Sequence, residues 1–230
     1  MRKKIGIVLL MAVLFGVVAV SQMTGERLLE RVQQKKGIQT AAKAKEKVVV
    51  IDSGHGGSDP GKIGINNALE KDINLQIAQK IQKLLKEQGV KVVMTREDES
   101  SLGESKVEDL KARVELINQT KPSLVVSIHQ NSYPEESIHG AQIFYYTHSK
   151  EGEGAAKILQ ETLREIEPEN HRQAKANDTY YILKKTEVPV VIVECGFLSN
   201  RKEAEQLCSE EYQMQVAEAV TKGILAAIQE

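Results

Sequence analysis

Beyond residue 46 the chain alternates between short β-branched runs and longer stretches with apolar residues at helical spacing. Val48 to Asp52 (VVVID) is a continuous apolar run of the kind that forms a strand buried on both faces, and it enters the loop Ser53-Gly54-His55-Gly56-Gly57. A helix is expected from near Glu70, with Ile73, Ile77, Ile81, Leu84 and Leu85 on one face and Gly89 as its stop. Val90 to Thr95 predicts a second strand, and Val107, Leu110, Val114 and Ile117 predict a second amphipathic helix. Leu124 to Ile128 reads as a third strand ending in His129, and Ala141 to Tyr146 as a fourth. Ala156, Leu159, Leu163 and Ile166 place a helix over residues 153–166, and Val188 to Val193 predicts another strand ending in Glu194. Asn200 followed by Glu203 reads as a capping box, and Met214, Val220, Ile224 and Ile228 mark a final helix over about 210–229. This order implies an α/β fold: a single domain with a mostly parallel, twisted sheet of about six strands and helices on both faces.

The first 46 residues follow a different pattern. Residues 5–20 are apolar throughout and stand directly behind Arg2, Lys3 and Lys4. As a helix such a run reaches roughly 24 Å, short of a ~30 Å hydrocarbon core. Residues 1–21 are therefore expected to be a signal peptide or a membrane signal-anchor, with export across the cytoplasmic membrane. A membrane contact would persist only if the segment stays uncleaved. Residues 22–46 read as a polar linker and residues 47–230 as the folded body.

Composition narrows the function classes. Of 230 residues, 41% are hydrophobic, with 31 basic side chains against 32 acidic ones, which excludes both a disordered polyelectrolyte and a basic nucleic-acid binder. Two cysteines cannot frame a disulfide scaffold or a four-thiolate zinc site. None of the five histidines is followed by Glu, which rules out HExxH, and neither a GxSxG elbow nor the Lys-Ser/Thr of a phosphate loop occurs.

The chemistry gathers where the predicted strands end, because open α/β sheets bind ligands at the carboxyl ends of their strands. His55, His129 and Glu194 stand at three such ends, and Glu70 heads the helix that returns towards the same edge. Two imidazoles and one carboxylate make a catalytic zinc set, and a further carboxylate can shuttle a proton.

At these positions the chain resembles a known family. Asp52-Ser53-Gly54-His55-Gly56-Gly57, Glu70-Lys71-Asp72, Ser127-Ile128-His129 and Val193-Glu194-Cys195-Gly196-Phe197-Leu198-Ser199-Asn200 are similar to the successive motifs of the zinc-dependent N-acetylmuramoyl-L-alanine amidases. The resemblance spans about 47–228 and implies an amide hydrolase acting on peptidoglycan stem peptides, with residues 47–230 as its catalytic domain. It implies one Zn2+ held by His55, Glu70 and His129, with Glu194 as the catalytic base. Within the family, Thr95-Arg96-Glu97-Asp98 and Gly140-Ala141-Gln142-Ile143-Phe144-Tyr145 are similar to the spore-cortex, germination-specific members, which implies a part in muramic δ-lactam formation. Ser53 departs from the usual Pro, and Gln130-Asn131-Ser132 from Ala-Asn-Ala.

Beyond residue 21 the balance is 28 basic against 32 acidic side chains, so bulk charge gives no attraction to an anionic wall. Peptidoglycan is the expected substrate, nucleic acid is not expected as a partner, and an accessory activator protein is a further expectation. His139, His148 and His171 are expected at the surface, and Cys195 as a buried inert thiol. A Cys195–Cys208 disulfide has nothing in the sequence to support it. Two competing readings are a catalytically silent wall-binding module and a related zinc peptidase or deacetylase. The intact quartet of two His and two Glu argues against the first.

Overall fold

The computed structural model describes residues 47–229; the expected export segment and linker lie outside the described residues. Six strands, β1 (Val48–Ser53), β2 (Lys91–Met94), β3 (Leu124–Asn131), β4 (Gln142–Tyr146), β5 (Lys175–Asn177) and β6 (Val190–Phe197), form one sheet in the order β2-β1-β3-β6-β4-β5. Six helices accompany them: α1 (Glu70–Glu87), α2 (Lys106–Thr120), α3 (Lys150–Ile166), α4 (Tyr181–Lys185), α5 (Arg201–Leu207) and α6 (Glu210–Ala227).

β2, β1, β3 and β6 are mutually parallel, while β4 runs antiparallel to β6 and carries β5 parallel to itself. The sheet is thus mixed, mostly parallel. The reversal follows from chain length. A parallel return needs a crossover of a dozen or more residues, usually a helix, and only a short helix-free loop separates β3 from β4.

One face of the sheet packs Val49, Ile51, Val126, Ile128, Val191 and Val193 against α1, α3, α5 and α6 in the main core. The other face packs Val50, Val125, Phe144, Val190 and Ile192 against Ile117 of α2 and Ile182 and Leu183 of α4. Strand alternation assigns each residue to its face, so β1, β3 and β6 read as unbroken apolar runs buried on both sides.

α1 buries the face its spacing predicts, including Ile73, Ile77, Ile81 and Leu85. α2 does not. Val107 is 60% exposed and Leu110 37% exposed, and the buried side of the helix is Asp109, Arg113 and Ile117. Arg113 is drawn inward by charge, since its guanidinium meets Asp52 at 2.7 Å and Asp109 at 2.7 Å. A buried guanidinium requires such partners, and supplying them outweighs the area gained by burying two further apolar side chains.

Asn200 caps α5 by accepting from the Glu203 backbone N–H, but Glu203 does not close the expected box. Its buried carboxylate accepts instead from Phe197 N at 2.7 Å and Gly140 N at 2.8 Å, tying the end of β6 to the loop before β4. Cys195 lies in the main core and Cys208 is exposed, and both are free thiols. His139, His148 and His171 are exposed, as expected. No described helix is long and apolar enough to cross a membrane.

Removing one partner of a buried ion pair strands the others, so Arg113→Met should cost about 3–5 kcal/mol of stability. Val107→Ser, on the exposed side of the same helix, should change stability by no more than about 0.5 kcal/mol. Urea unfolding midpoints of the two variants test this: if the Val107 change cost more than the Arg113 change, the apolar stripe, not the ion pair, would be what docks α2.

Candidate metal centre and active site

The site is built on the sheet face that α2 and α4 cover. In register, Asp52 of β1 pairs with Ser127 of β3, His129 of β3 pairs with Glu194 of β6, and Glu194 pairs with Gln142 of β4. Cross-strand partners point to the same face, so His129 and Glu194 stand side by side. Both lie inside their strands, which run on to Asn131 and Phe197, where the sequence pattern places them at strand ends. A register shift between His129 and Asn131 re-aims the top of β3 just beyond the imidazole.

Glu70 reaches this edge from the head of α1. No side chain caps that helix; instead the Glu70 and Lys71 N–H groups donate to the carbonyls of Lys62 and Pro60. The loop therefore holds the first turn, and the buried Glu70 carboxylate turns inward. Its Oε1 lies 2.9 Å from His129 Nδ1 and 3.2 Å from His55 Nε2, while Oε2 accepts from Lys62 N at 2.8 Å. The two imidazole rings meet edge to face at 5.0 Å. One donor atom from each of His55, Glu70 and His129 falls within 4.8 Å of the others, so the three form a group that could hold a metal ion.

Electrostatics separates the two glutamates. Burial alone would raise Glu70, but hydrogen bonds and charge from His129 and His55 hold it well below the usual carboxylate range. Burial likewise opposes charge on His129, and the Glu70 hydrogen bond and charge overcome this to raise it to about 9. Glu194 is the reverse case: burial lifts it to about 7 despite the opposing pull of His129. Its Oε2 is buried with no hydrogen-bond partner among the described residues. A buried carboxylate oxygen without a partner costs free energy and implies a ligand yet to be met.

Much of what aims these groups escapes sequence reasoning. Asp59 accepts from His55 Nδ1 at 2.8 Å and pairs with Lys106 at 2.7 Å, leaving Nε2 as the ring atom that faces the group. Arg113 donates to the carbonyls of Ser53 (2.6 Å) and His55 (2.5 Å), and Arg96 to those of Ser53 and Gly54 (3.1 Å each). Together they pin a loop in which His55 itself has φ 61°, a left-handed conformation that is uncommon outside Gly. Asn74 donates to Gly54 O at 3.1 Å and to Glu70 Oε1 at 3.4 Å. Gly54 is required by close approach: a Cβ there would sit 2.3 Å from His129 Cε1. Gly61, at φ +69°, lies where a Cβ would come within 2.5 Å of Glu70 Oε2.

The two sequence departures also have contacts. Ser53 donates its backbone N–H to Thr95 Oγ1 at 3.2 Å, a bond proline cannot make, and Gln130 donates its side-chain amide to Asn74 at 3.1 Å. The one available signal for Asp59 was its four-residue spacing from His55 in a glycine-rich loop, where a carboxylate can meet the imidazole.

Carboxylates that orient a ligating histidine contribute about 10- to 100-fold to metal affinity. Asp59→Ala should therefore weaken divalent-metal binding by about that factor while the unfolding midpoint stays near that of the parent. Titration calorimetry gives the affinity, and an unchanged value would remove Asp59 from the centre.

Comparison with known proteins agrees with this architecture. Residues 49–226 match the family model described as N-acetylmuramoyl-L-alanine amidase. The germination-specific N-acetylmuramoyl-L-alanine amidase of Bacillus subtilis is 40% identical over 187 residues, 78% of each chain. The amidase CwlD of Clostridioides difficile, solved in complex with the GerS lipoprotein, superposes with a TM-score of 0.77 at 38% identity, covering 80% of this chain and 98% of that one. The N-acetylmuramoyl-L-alanine amidase AmiC2 of Nostoc punctiforme gives a TM-score of 0.73 at 32% identity, over 81% of this chain and 99% of its own. An α/β sheet that brings two histidines and two glutamates to one edge, over a length the family model matches almost throughout, places this chain in the N-acetylmuramoyl-L-alanine amidase family.

Proposed function

We propose that the chain hydrolyses the amide bond between the lactyl group of N-acetylmuramic acid and L-alanine in peptidoglycan, using one zinc ion held by His55, Glu70 and His129. The observation that carries this is the donor group itself: two imidazole nitrogens and one carboxylate oxygen within 4.8 Å, beside a buried carboxylate with an unpartnered oxygen. Two His and one Glu are the protein ligands of catalytic zinc sites that keep a position open. When bound, zinc supplies Lewis acidity towards a carbonyl oxygen and lowers the pKa of water.

The chain's own groups do the rest. Glu194 takes a proton from the attacking water onto its free carboxylate oxygen. It then delivers that proton to the departing nitrogen of L-alanine as the amide C–N bond breaks, leaving the water oxygen on the lactyl carboxyl and a free amine on L-alanine. Burial, which raises the Glu194 carboxyl, serves both halves of this exchange, because a group whose pKa lies near the working pH both accepts and donates readily. Asp59 fixes His55 through Nδ1, and the Lys62 N–H fixes Glu70 through Oε2, so two of the groups that would hold the ion are set in place by contacts outside the group.

The 40% identity to the germination-specific B. subtilis enzyme supports the finer assignment: action on spore cortex, freeing muramic acid for δ-lactam formation. Residues 1–21 would then deliver the domain through the membrane and residues 22–46 would tether it near the wall. The C. difficile amidase solved with the GerS lipoprotein supports an accessory protein partner for this chain as well.

Digestion of purified peptidoglycan with and without chelator, followed by mass analysis of the bond opened, tests the proposal. Release of stem peptides with a free L-alanine amine, lost on chelation and restored by zinc, is the expected result; glycan cleavage or chelator resistance refutes it. Glu194→Gln should retain stoichiometric zinc and lose about 10²- to 10⁴-fold in kcat. His129→Ala should lose the metal, as read by elemental analysis. Because a proton held by His129 up to about 9 competes with the ion, zinc affinity should rise as pH rises towards that value. Titrations from pH 6 to 9 read this directly, and a flat profile would remove His129 from the ligand set.

A further inference from the structure

α4 and the turn before it belong to no motif, yet they hold a tyrosine beside the strand that carries Glu194. Asn177, the last residue of β5, accepts through Oδ1 from Thr179 N at 2.8 Å and Tyr180 N at 2.9 Å. This turn fixes the backbone of Tyr180 at the head of α4. Two residues on, Ile182 lines a cavity of about 220 Å³ shared with His55, His129, Asp52 and Arg113. The Tyr180 ring stands edge to face on Phe144 at 5.6 Å. Phe144 pairs with Ile192 in the sheet, two residues below Glu194 and on the same face. The ring is thus propped beside the strand that carries Glu194, while the residue remains 37% exposed.

Among the described residues nothing hydrogen-bonds the Tyr180 hydroxyl. Partial burial, and then the negative charges of Glu194 and Glu70, raise the phenol above its ordinary value, so the ring keeps its proton. A neutral O–H donor on a ring propped beside the strand that carries Glu194 is available at any working pH below the phenol range. Hydrolysis of an amide builds negative charge on the former carbonyl oxygen, and a preorganised donor aimed at that charge stabilises the transition state more than the ground state.

We infer that Tyr180 is a further catalytic residue, whose hydroxyl donates a hydrogen bond to the scissile amide oxygen as charge develops there. The inference rests on the amide hydrolysis proposed above. The phenol keeps its proton throughout: one O–H bond of water breaks as its oxygen bonds the carbonyl carbon, the C–N bond opens, and the proton passes by way of Glu194 to the leaving amine. The ring's anchor on Phe144 sets the height of the donor, and the Asn177 turn sets its position along the cleft.

Tyr180→Phe removes a single oxygen with no protein partner and retains the ring contact with Phe144, so the fold should be unaffected. With a defined disaccharide-peptide fragment of peptidoglycan and zinc-loaded protein, kcat should fall about 10²-fold while KM stays within twofold, the scale expected for one oxyanion donor. Zinc content and unfolding temperature should match the parent. Unchanged kcat, or a loss appearing only in KM or accompanied by loss of zinc, overturns the assignment. Phe144→Leu supplies a second check: loosening the ring's support should lower kcat in the parent but have little effect in the Tyr180→Phe background. Equal losses in both backgrounds would give Phe144 a purely structural part and count against the donor. If the parent itself leaves the muramyl–alanine bond intact, the proposed function falls first, an outcome distinct from a parent that cleaves and a variant that cleaves equally well.

Discussion

The site depends on one buried charge. Arg113 is fully enclosed, and its guanidinium is divided between Asp52, Asp109 and the carbonyls of Ser53 and His55. Burial disfavours the charge, yet Asp52 and Asp109 hold Arg113 above its ordinary value, and Arg113 in turn holds Asp52 low. Because an unpaired ion in such a place is very costly, every partner is obligatory. That requirement rotates α2, exposes Val107 and Leu110, and ties the turn after β1 to the helix on the sheet's face. A loop held at two carbonyls by a fork-shaped donor cannot drift, so His55 keeps its left-handed backbone and its aim.

Around that fixed loop, one chain uses two glutamates in opposite electrostatic states. Glu70 accepts from His129 and two backbone N–H groups, lies 3.2 Å from His55 Nε2, and is held as a carboxylate. Glu194 is surrounded by strand and has an oxygen with no partner, so it is pushed to about 7. In the proposed reaction such a separation divides the work, with Glu70 holding the ion and Glu194 moving the proton. The division is made by neighbours, since the side chains are identical.

Much of the fold was legible because it rests on local rules. Apolar runs of five residues, helical spacing along α1 and the Asn200 cap all arise within a few residues of sequence, and the strands and helices appear where they indicate. The four candidate residues were legible from their place in the alternation, and the fold brings them together, although His129 and Glu194 lie within strands. β5 and α4 were missed because three and five residues carry too little periodicity to show. The antiparallel turn of β4 had a signal in the helix-free loop before it, but only the sheet shows which strand it joins.

By itself the sequence determined the order of elements, the two faces of the sheet and the set of donors, each a matter of side-chain type at short range. The tertiary structure decided which face α2 buries, which groups aim His55, and that the Tyr180 ring packs on Phe144. Those outcomes turn on desolvation and on polar pairings that reach across the chain, as in the contacts of Arg113 with His55 O, 58 residues away, and with Asp52, 61 residues away. Whether a buried polar group is satisfied depends on partners that only the folded chain brings together.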